Sequence, residues 1–322
     1  MTSAEHPPSG HRVAIYYAWS RPEETSAPLG VIDDRFPTLF ESRRMLYPRL
    51  VELSDPSEFD QTVAGFLDHI LKKNFRAFVQ LASDQTGQQV IELERVAGDG
   101  VLRQLTGEFL STVDTLIVIS FDSLRTGQDI ADSEMTAIRD FLAVPGNLLF
   151  VCPHHDIGRD RQEAEFFHHG DRTIPPRQGF GRFGRSLLAG LGLQIDNQFG
   201  LRPATEPDGS PSAIDIAHEL DRSHILKGVT TFNAHPHLPH FARQGDAVTK
   251  MDVLARQYVD TTAPAHPAFT QATFDALLQT TPGVFAGDVL VGDATLWSST
   301  AGGVESLERL WSNVVGRPAP SR

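Results

Sequence analysis

The stretch NLLFVCPHHD, residues 147–156, joins a run of apolar residues to a cysteine, two histidines and an aspartate. Residues 147–152 have the length and composition of a β-strand that is buried on both faces. The histidines and the aspartate follow at once, so they lie where the strand ends. Because loops at strand ends carry functional residues more often than strand interiors do, this stretch predicts both a central strand and a candidate site.

Similar apolar runs along the chain predict further strands at residues 12–19, 75–82, 88–94, 115–120, 197–204, 252–258 and 284–292. Amphipathic spacing predicts helices at residues 38–53, 60–73, 102–110, 132–144, 184–193 and 303–315. Buried strands that alternate with helices are typical of α/β proteins. We therefore expect a mainly parallel, doubly wound, flavodoxin-like sheet with helices on both faces.

The length and composition fit one globular domain. The chain has 322 residues, of which 40% are hydrophobic and 21% are charged, and it contains no low-complexity linker. We expect a single domain over residues 12–316. Residues 1–11 and 317–322 are rich in proline and polar side chains, which predicts disordered tails.

The charge balance limits the partners that the protein can bind. With 41 acidic against 28 basic side chains, the net charge is −13. This argues against a nucleic-acid binder, because clustered lysines and arginines neutralise phosphates. The expected partner is a small-molecule substrate, and Trp311 with the helix at 303–315 could contribute to a homo-oligomer interface. The sequence has no apolar stretch of ~20 residues and no secretory signal, so we expect a cytoplasmic protein that does not enter a membrane.

Ligands of parallel α/β sheets bind outside the carboxyl ends of the strands. This rule selects the polar side chains that follow the predicted strands, and we expect them to converge on one edge of the sheet. The predicted substrate-binding residues are Trp19 and Arg21 after the first strand, Asp84 after the second, Asp293 after the last, and Arg182, which precedes a helix and could hold an anion.

His154 and His155 are the predicted general bases of the site. An adjacent pair of histidines on a strand-end loop is unusual for a protein core, and imidazole exchanges protons near neutral pH. Asp156 follows directly, and Asp122 follows the strand at 115–120. Either carboxylate could orient the base, so both are predicted catalytic residues.

Cys152 is the one cysteine of the chain, which rules out an intramolecular disulfide. It could act as a nucleophile in the same site. A free cysteine is also among the most buried residue types, so Cys152 can simply end the strand. Pro153 has no N–H group, which blocks the usual oxyanion hole beside a nucleophile. The sequence leaves both interpretations of Cys152 open.

One histidine-rich and one glycine-rich segment match patterns of ligand sites. His235, His237 and His240 lie within six residues, and alternate residues of an extended chain share a face, so they could hold a divalent ion such as zinc. The alternative is a proline-rich surface loop. Residues 179–184, GFGRFG, match a phosphate-binding pattern but follow two prolines rather than a strand, which argues against a dinucleotide site.

The order of these segments resembles the class I glutamine amidotransferase-like superfamily, and the ThuA-like branch in particular. The similar segments are the run at 114–156, RSLLAGLGLQ at 185–194, HILKGV at 224–229 and residues 287–315. The resemblance covers residues 12–315 and implies a flavodoxin-like sheet, with Cys152 near the nucleophile strand end of the family. The glutaminase patterns G-x-C-x-G and H-x-E do not occur in this sequence, which makes glutamine hydrolysis an unexpected activity.

Two functions from different classes remain open at this point. The first is an enzyme that acts on a small polar molecule by hydrolysis or by related lyase or transfer chemistry, with or without a divalent metal. The second is a non-catalytic domain that binds a small ligand or serves as a scaffold. Covalent catalysis by Cys152 is a third, weaker hypothesis.

Overall fold

The structure is a computed structural model that describes residues 10–25, 72–123, 126–154, 180–235, 237–262, 265–266, 269–318 and 320. The predicted helix at 38–53 and almost all of the one at 60–73 lie outside the described residues, as do His155 and Asp156. Within the described residues, no helix has the length and apolar character needed to cross a membrane.

Ten strands are present in the described part of the chain. They are β1 (Val13–Ser20), β2 (Ile91–Val96), β3 (Thr115–Ser120), β4 (Leu148–Pro153), β5 (Ile195–Leu201), β6 (Asp215–Ile216), β7 (Leu238–Arg243), β8 (Met251–Tyr258), β9 (Thr273–Thr280) and β10 (Asp288–Gly292). Eight of them form one sheet in the order β2-β1-β3-β4-β10-β9-β8-β6, and β5 pairs with β7 separately.

The large sheet is mixed. Strands β2, β1, β3, β4 and β10 run parallel to one another. Strands β9, β8 and β6 are added antiparallel beyond β10. The expectation of a mainly parallel sheet is therefore met in the first half of the sheet, whereas β9 and β7 were not predicted at all.

Helices cover both faces of the sheet within the described residues. They are α1 (Arg21–Thr25), α2 (Lys72–Asn74), α3 (Arg76–Thr86), α4 (Gly107–Ser111), α5 (Asp132–Leu142), α6 (Arg182–Gly190), α7 (Ala247–Lys250) and α8 (Val304–Val315), with a 3-10 helix at Ala294–Trp297. Residues of α3 and α8 pack on one face, and residues of α4, α5 and α6 pack on the other.

The three central strands β1, β3 and β4 are buried at every residue. Along β1, Ile15 and Tyr17 point to the core under α3 and α8, and Ala14 and Tyr16 point to the core under α5 and α6. This alternation is what a strand between two layers of helices requires. Polar chemistry on these strands is consequently confined to their ends.

The strand predicted at 75–82 is wrong, because this segment forms the start of helix α3. Phe75, Phe78 and Ala82 are buried three and four residues apart, whereas Gln80 and Asp84 are exposed. A helix buries all three apolar side chains on one face, which a strand with alternating sides cannot do.

The packed chain extends slightly into both predicted tails. His11 is fully buried, and its imidazole Nε2 lies 2.8 Å from the hydroxyl of Thr115. At the other end, the Arg317 guanidinium donates to the carboxylate of Asp288 at 3.2 Å. Both contacts lie at the amino ends of the parallel strands, where the two chain ends meet the sheet.

His11 should make the stability of the protein depend on pH. Burial is the main cause that lowers the pKa of His11 from 6.5 to about 4, with Arg317 and Arg12 adding to it and Asp114 opposing it. The unfolded chain takes up the proton first, so stability is full above about pH 6.5 and falls as the pH drops towards about 4. The loss reaches roughly 3 kcal/mol. Urea unfolding of the wild type and of His11→Gln between these pH values measures it.

The exposed His218 provides the matched control for this experiment. His11→Gln should flatten the pH dependence over this interval, whereas His218→Gln should leave it as in the wild type. Equal pH dependence of the wild type and His11→Gln would contradict the assignment.

Candidate functional site

The first turn of α6 is fixed to the end of β3. The Oγ atom of Ser120 accepts a hydrogen bond from the N–H of Gly184 at 2.9 Å, and Oδ2 of Asp122 accepts one from the N–H of Phe183 at 2.9 Å. The Ser120 hydroxyl donates to Oδ1 of Asp122. A carboxylate at this position satisfies free N–H groups and complements the positive end of the helix dipole.

This arrangement corrects the role predicted for Asp122. Both of its carboxylate oxygens accept hydrogen bonds from Ser120 and from helix α6, and the residue is fully buried. We therefore assign Asp122 to the capping of α6 rather than to the orientation of a catalytic base.

Two glycines of the pattern at 179–184, Gly181 and Gly184, serve the same contact. Gly181 has a φ of +67°, and a Cβ added there would lie 2.8 Å from Cβ of Pro153 and 2.9 Å from the backbone nitrogen of His154. A Cβ added at Gly184 would lie 3.2 Å from Cβ of Ser120. The absence of a Cβ at these two glycines thus lets α6 approach the ends of β3 and β4.

Ion pairs cover the carboxyl ends of β1 and β2. Glu94 accepts hydrogen bonds from Trp19 Nε1 at 3.0 Å and from Arg21 Nη2 at 2.7 Å, and it also pairs with Lys72. Burial, the largest effect, raises the pKa of Glu94, but the hydrogen bonds from Arg21, Lys72 and Trp19 together outweigh it and bring the pKa to about 2. Trp19 and Arg21 are almost wholly buried in this cluster. Their predicted role in binding substrate is wrong, because both hold Glu94.

Two other predicted substrate-binding residues also have different surroundings. Asp84 lies in the last turn of α3. Two residues further on, the carbonyl of Thr86 accepts a hydrogen bond from the N–H of Gly10, which lies just before the amino end of β1. Asp84 is therefore at the opposite edge of the sheet from the carboxyl ends of the strands. Arg182 donates to the carboxylate of Asp129, with Nε and Oδ1 2.8 Å apart. This ion pair occupies the guanidinium that was expected to bind an anion.

His154, at the end of β4, lies in a group of aromatic and imidazole rings. Its ring centroid is 4.8 Å from that of Phe121, 5.5 Å from Phe180 and 6.1 Å from His237. The centroids of His235 and His237 are 4.5 Å apart. The structure thus brings together two histidine segments that are 80 residues apart in sequence. We call His154, His235 and His237 the histidine cluster.

Asp293 lies beside the histidine cluster at the end of β10. Its Oδ1 accepts hydrogen bonds from the N–H of Thr295 at 2.9 Å and from the hydroxyl of Thr295 at 2.6 Å. Burial is the largest effect and raises the pKa of Asp293 above its ordinary value, while the bonds from Thr295 and the charge of His235 act in the other direction. Asp293 and His235 are therefore electrostatically linked.

Asn233 connects these groups. Its amide Nδ2 donates to the hydroxyl of Thr295 at 2.7 Å, and its Oδ1 accepts from the backbone N–H of His235 at 3.0 Å. Sequence reasoning missed Asn233 and Thr295. The D-A-T sequence at 293–295 is a recognisable turn signal after a strand, whereas nothing local marks Asn233.

His240 does not belong to the histidine cluster. Its Nδ1 accepts the backbone N–H of Asp275 on β9 at 3.1 Å, and its ring centroid is 5.2 Å from that of Phe269. The predicted metal trio of His235, His237 and His240 is therefore wrong in its third member. Among the residues that the structure describes, no three His, Cys, Asp or Glu side chains are placed to hold one metal ion.

Cys152 is fully buried inside the sheet. Burial raises the pKa of its thiol well above the ordinary value, and the charge of Asp293 adds to this rise. The thiolate is the reactive form of cysteine. Both properties disfavour the nucleophile interpretation of Cys152 and favour the alternative, a residue of the core strand that ends at Pro153.

No family profile matches the chain, and no curated protein is similar to it. Among solved structures, the chain is similar to a protein from Bacteroides uniformis ATCC 8492 that is described as ThuA-like. The two chains are 10% identical with a TM-score of 0.38, and the similarity covers 98% of this chain and 95% of the other.

Gly181→Ala should lower the free energy of unfolding by roughly 2–4 kcal/mol, because it adds left-handed backbone strain and a clash with Pro153. Gly209, with a φ of +84° and no atom within 4 Å of an added Cβ, is the matched control. Gly209→Ala should cost only the strain, about 1–2 kcal/mol. Urea unfolding measures both variants, and equal losses would show that the close approach of α6 to β4 contributes nothing.

Asp293→Asn should move the titration midpoint of His235 to lower pH, because the nearby carboxylate stabilises the imidazolium. Imidazole nitrogen NMR across pH measures this midpoint. Asp275→Asn is the control, since Asp275 acts in the same way on His240. It should shift His240 and leave His235 in place. An unchanged His235 midpoint in Asp293→Asn would contradict the link between the two residues.

Proposed function

We propose that the protein is an enzyme that uses the histidine cluster and Asp293 for general acid–base chemistry on a small polar molecule. Hydrolysis, or a related lyase or transfer reaction, is the reaction class. The observation that carries this proposal is the meeting of His154 with His237 at 6.1 Å and of His237 with His235 at 4.5 Å at the carboxyl ends of β4 and β10. Histidine is the side chain that most often transfers protons in acid–base catalysis, and His154, His235 and His237 are partly exposed.

The spacing of the rings assigns different protonation states to them. Two positive charges about 5 Å apart repel by roughly 3 kcal/mol at an effective dielectric constant of about 20. His237 contacts both of the other imidazoles, so protonation of His237 is opposed from two sides. His235 is favoured as the imidazolium because Asp293 lies beside it. His235 with Asp293 is thus the acid of the site, and His237 is the base.

His154 completes the site from the end of β4. The rings of Phe121 and Phe180 flank it, which limits its rotation and excludes water from one side. In the proposed reaction, His154 exchanges a proton with the substrate or orients it for His237. His155 and Asp156 follow His154 in the sequence, and their participation remains a prediction from the sequence.

Glutamine hydrolysis is not the reaction that we propose. That chemistry needs an accessible thiolate, and the Cys152 thiol is buried with a raised pKa. A metal-assisted version of the reaction would use His235 and His237, whose rings are close enough to share one ion with further ligands such as water. Zinc is one of the divalent metals that suit imidazole ligands.

A non-catalytic function in binding a small ligand or in scaffolding is the alternative. It is favoured by the closed edge beside β1 and β2, where Glu94, Arg21 and Trp19 satisfy one another. Such a domain would bind its ligand beside Asp293 and need no proton transfer. Measuring whether any substrate is turned over distinguishes the two functions.

We also propose a doubly wound, flavodoxin-like arrangement and a place in the ThuA-like branch of the class I glutamine amidotransferase-like superfamily. The order β2-β1-β3-β4-β10 supports this, since it is the strand order 2-1-3-4-5 of that fold. A cytoplasmic location is a further proposal, made from the sequence alone. A homo-oligomer that includes α8 remains a proposal from the sequence.

His154→Ala and His237→Ala should each lower kcat/KM by about a hundredfold or more, because a positioned acid or base contributes about 10²- to 10⁴-fold. The assay is a panel of p-nitrophenyl esters, phosphates and glycosides, run on the wild type first. His240→Ala is the matched control, since His240 lies in the same segment but outside the histidine cluster, and it should keep at least half of the activity. Full activity of both His154→Ala and His237→Ala would overturn the proposal.

Metal analysis of the purified protein accompanies this assay. Stoichiometric zinc that is lost in His237→Ala would establish the metal-assisted version. If no substrate is turned over under conditions in which a small ligand binds, the binding function replaces the enzymatic one.

A further inference from the structure

A small pocket lies behind Asp293, between β7, β9 and the 3-10 helix. It encloses about 200 Å³ of empty space with its open mouth included, and its enclosed part has room for about one water-sized group. Its apolar wall consists of Leu238, Pro239, Phe241, Phe274, Ala276 and Leu296. Asn233, Gln257, Asp293 and Thr295 supply its polar wall.

The polar wall includes two side-chain acceptors. Thr295 donates two hydrogen bonds to Oδ1 of Asp293 and the backbone of Ala294 adds one to the carboxylate, whose roughly four lone-pair sites still leave acceptor capacity for the pocket. Gln257 donates its Nε2 to the carbonyl of Asn233 at 2.9 Å, which fixes the orientation of the amide and leaves Oε1 without a partner among the described residues. The pocket therefore presents a carboxyl oxygen and an amide oxygen.

The charge of the lining selects among possible occupants. Among the residues that the structure describes, the lining contains neither lysine nor arginine. An anion would lie against the carboxylate of Asp293 with no lysine or arginine in the lining, which disfavours a carboxylate or a phosphate as the occupant. A hydroxyl has one proton to donate and would leave one of the two acceptors unsatisfied, whereas a primary ammonium has three. Burial raises the pKa of Asp293, while the hydrogen bonds from Thr295 and the charge of His235 act in the other direction and favour the ionised carboxylate.

We propose that this pocket is a subsite for a primary ammonium group of the ligand, with the carboxylate of Asp293 and Oε1 of Gln257 as its acceptors. The apolar wall then contacts the adjoining methylene carbon. The substrate class that follows is a small primary amine. This proposal rests on the proposed function only in treating the bound amine as a substrate. Binding of the amine to the pocket requires no histidine of the cluster.

Titration of the full-length protein with methylammonium chloride, against potassium chloride at equal ionic strength, tests the subsite. The chain has three tryptophans, whose indole N–H signals report on different places. Trp297 follows Leu296 of the pocket wall, and the Trp311 indole donates to the carbonyl of Leu296. Trp19 donates to Glu94 beside β1 and β2, away from the pocket. We expect saturable shifts of the Trp297 and Trp311 signals and none of Trp19.

Two pairs of variants make the test specific. Asp293→Asn keeps the shape of the side chain and should weaken methylammonium binding about tenfold or more, the usual effect of losing a charged hydrogen-bond partner. Ala276→Val fills the pocket and should abolish binding, whereas Ala276→Ser leaves the space and should bind as the wild type does. Unfolding curves confirm that each variant is folded.

Several outcomes would overturn the subsite. They are the absence of a saturable shift, equal affinity in Asp293→Asn, unchanged binding in Ala276→Val, or acetate binding as tightly as methylammonium. His154→Ala should bind methylammonium normally. Binding of the probe without turnover of any substrate would therefore leave the subsite intact and overturn only the enzymatic function, and turnover without probe binding would do the reverse.

Discussion

The hydrogen bonds from the first turn of α6 to Ser120 and Asp122 fix the geometry on which the candidate site depends. Strands β3 and β4 are buried on both faces, so their polar groups are confined to their ends. Ser120 Oγ and Asp122 satisfy two N–H groups of α6 there, and the carbonyl of Ser120 accepts the N–H of His154 at 3.0 Å. One short contact thereby positions a helix, the end of β4 and the first histidine of the cluster.

The edge formed by the carboxyl ends of the strands is divided into two halves with different electrostatics. Beside β1 and β2, Glu94 is ionised and saturated by Arg21, Lys72 and Trp19, which gives stability but leaves little to offer a ligand. Beside β4 and β10, Asp293 is buried without such a set of cations, and its pKa is raised. Perturbed carboxylates beside imidazoles are typical of functional sites. The carboxyl ends of one sheet thus combine a structural ion cluster with a buried carboxyl group whose pKa is raised.

The candidate site beside the carboxyl ends of β4 and β10 draws its residues from three separate parts of the chain. His154 ends β4, His235 and His237 precede β7, and Asp293 ends β10. Asn233 joins the last two parts through hydrogen bonds to His235 and Thr295. Because each imidazole changes the cost of protonating its neighbour, the proton affinity of the site belongs to the group rather than to a single residue. This coupling, together with the acceptor-lined pocket behind Asp293, gives the site its chemical character.

The sequence by itself determined the parallel strands and the edge at which to search, because a strand buried on both faces is apolar throughout and leaves its polar residues at its end. Residues 147–152 carry this pattern and led to His154, and the strand predicted at 284–292 led to Asp293. The segment at 75–82 misled, since a short apolar run suits a strand or a helix and only burial against the sheet selects the helix. Only the tertiary structure decided which polar residues are free for chemistry. Asp122, Arg21 and Arg182 found partners that lie 61, 73 and 53 residues away, while His154 met His237 across the ends of two strands. Such pairings depend on distances in space, which the spacing of residues along the chain does not encode.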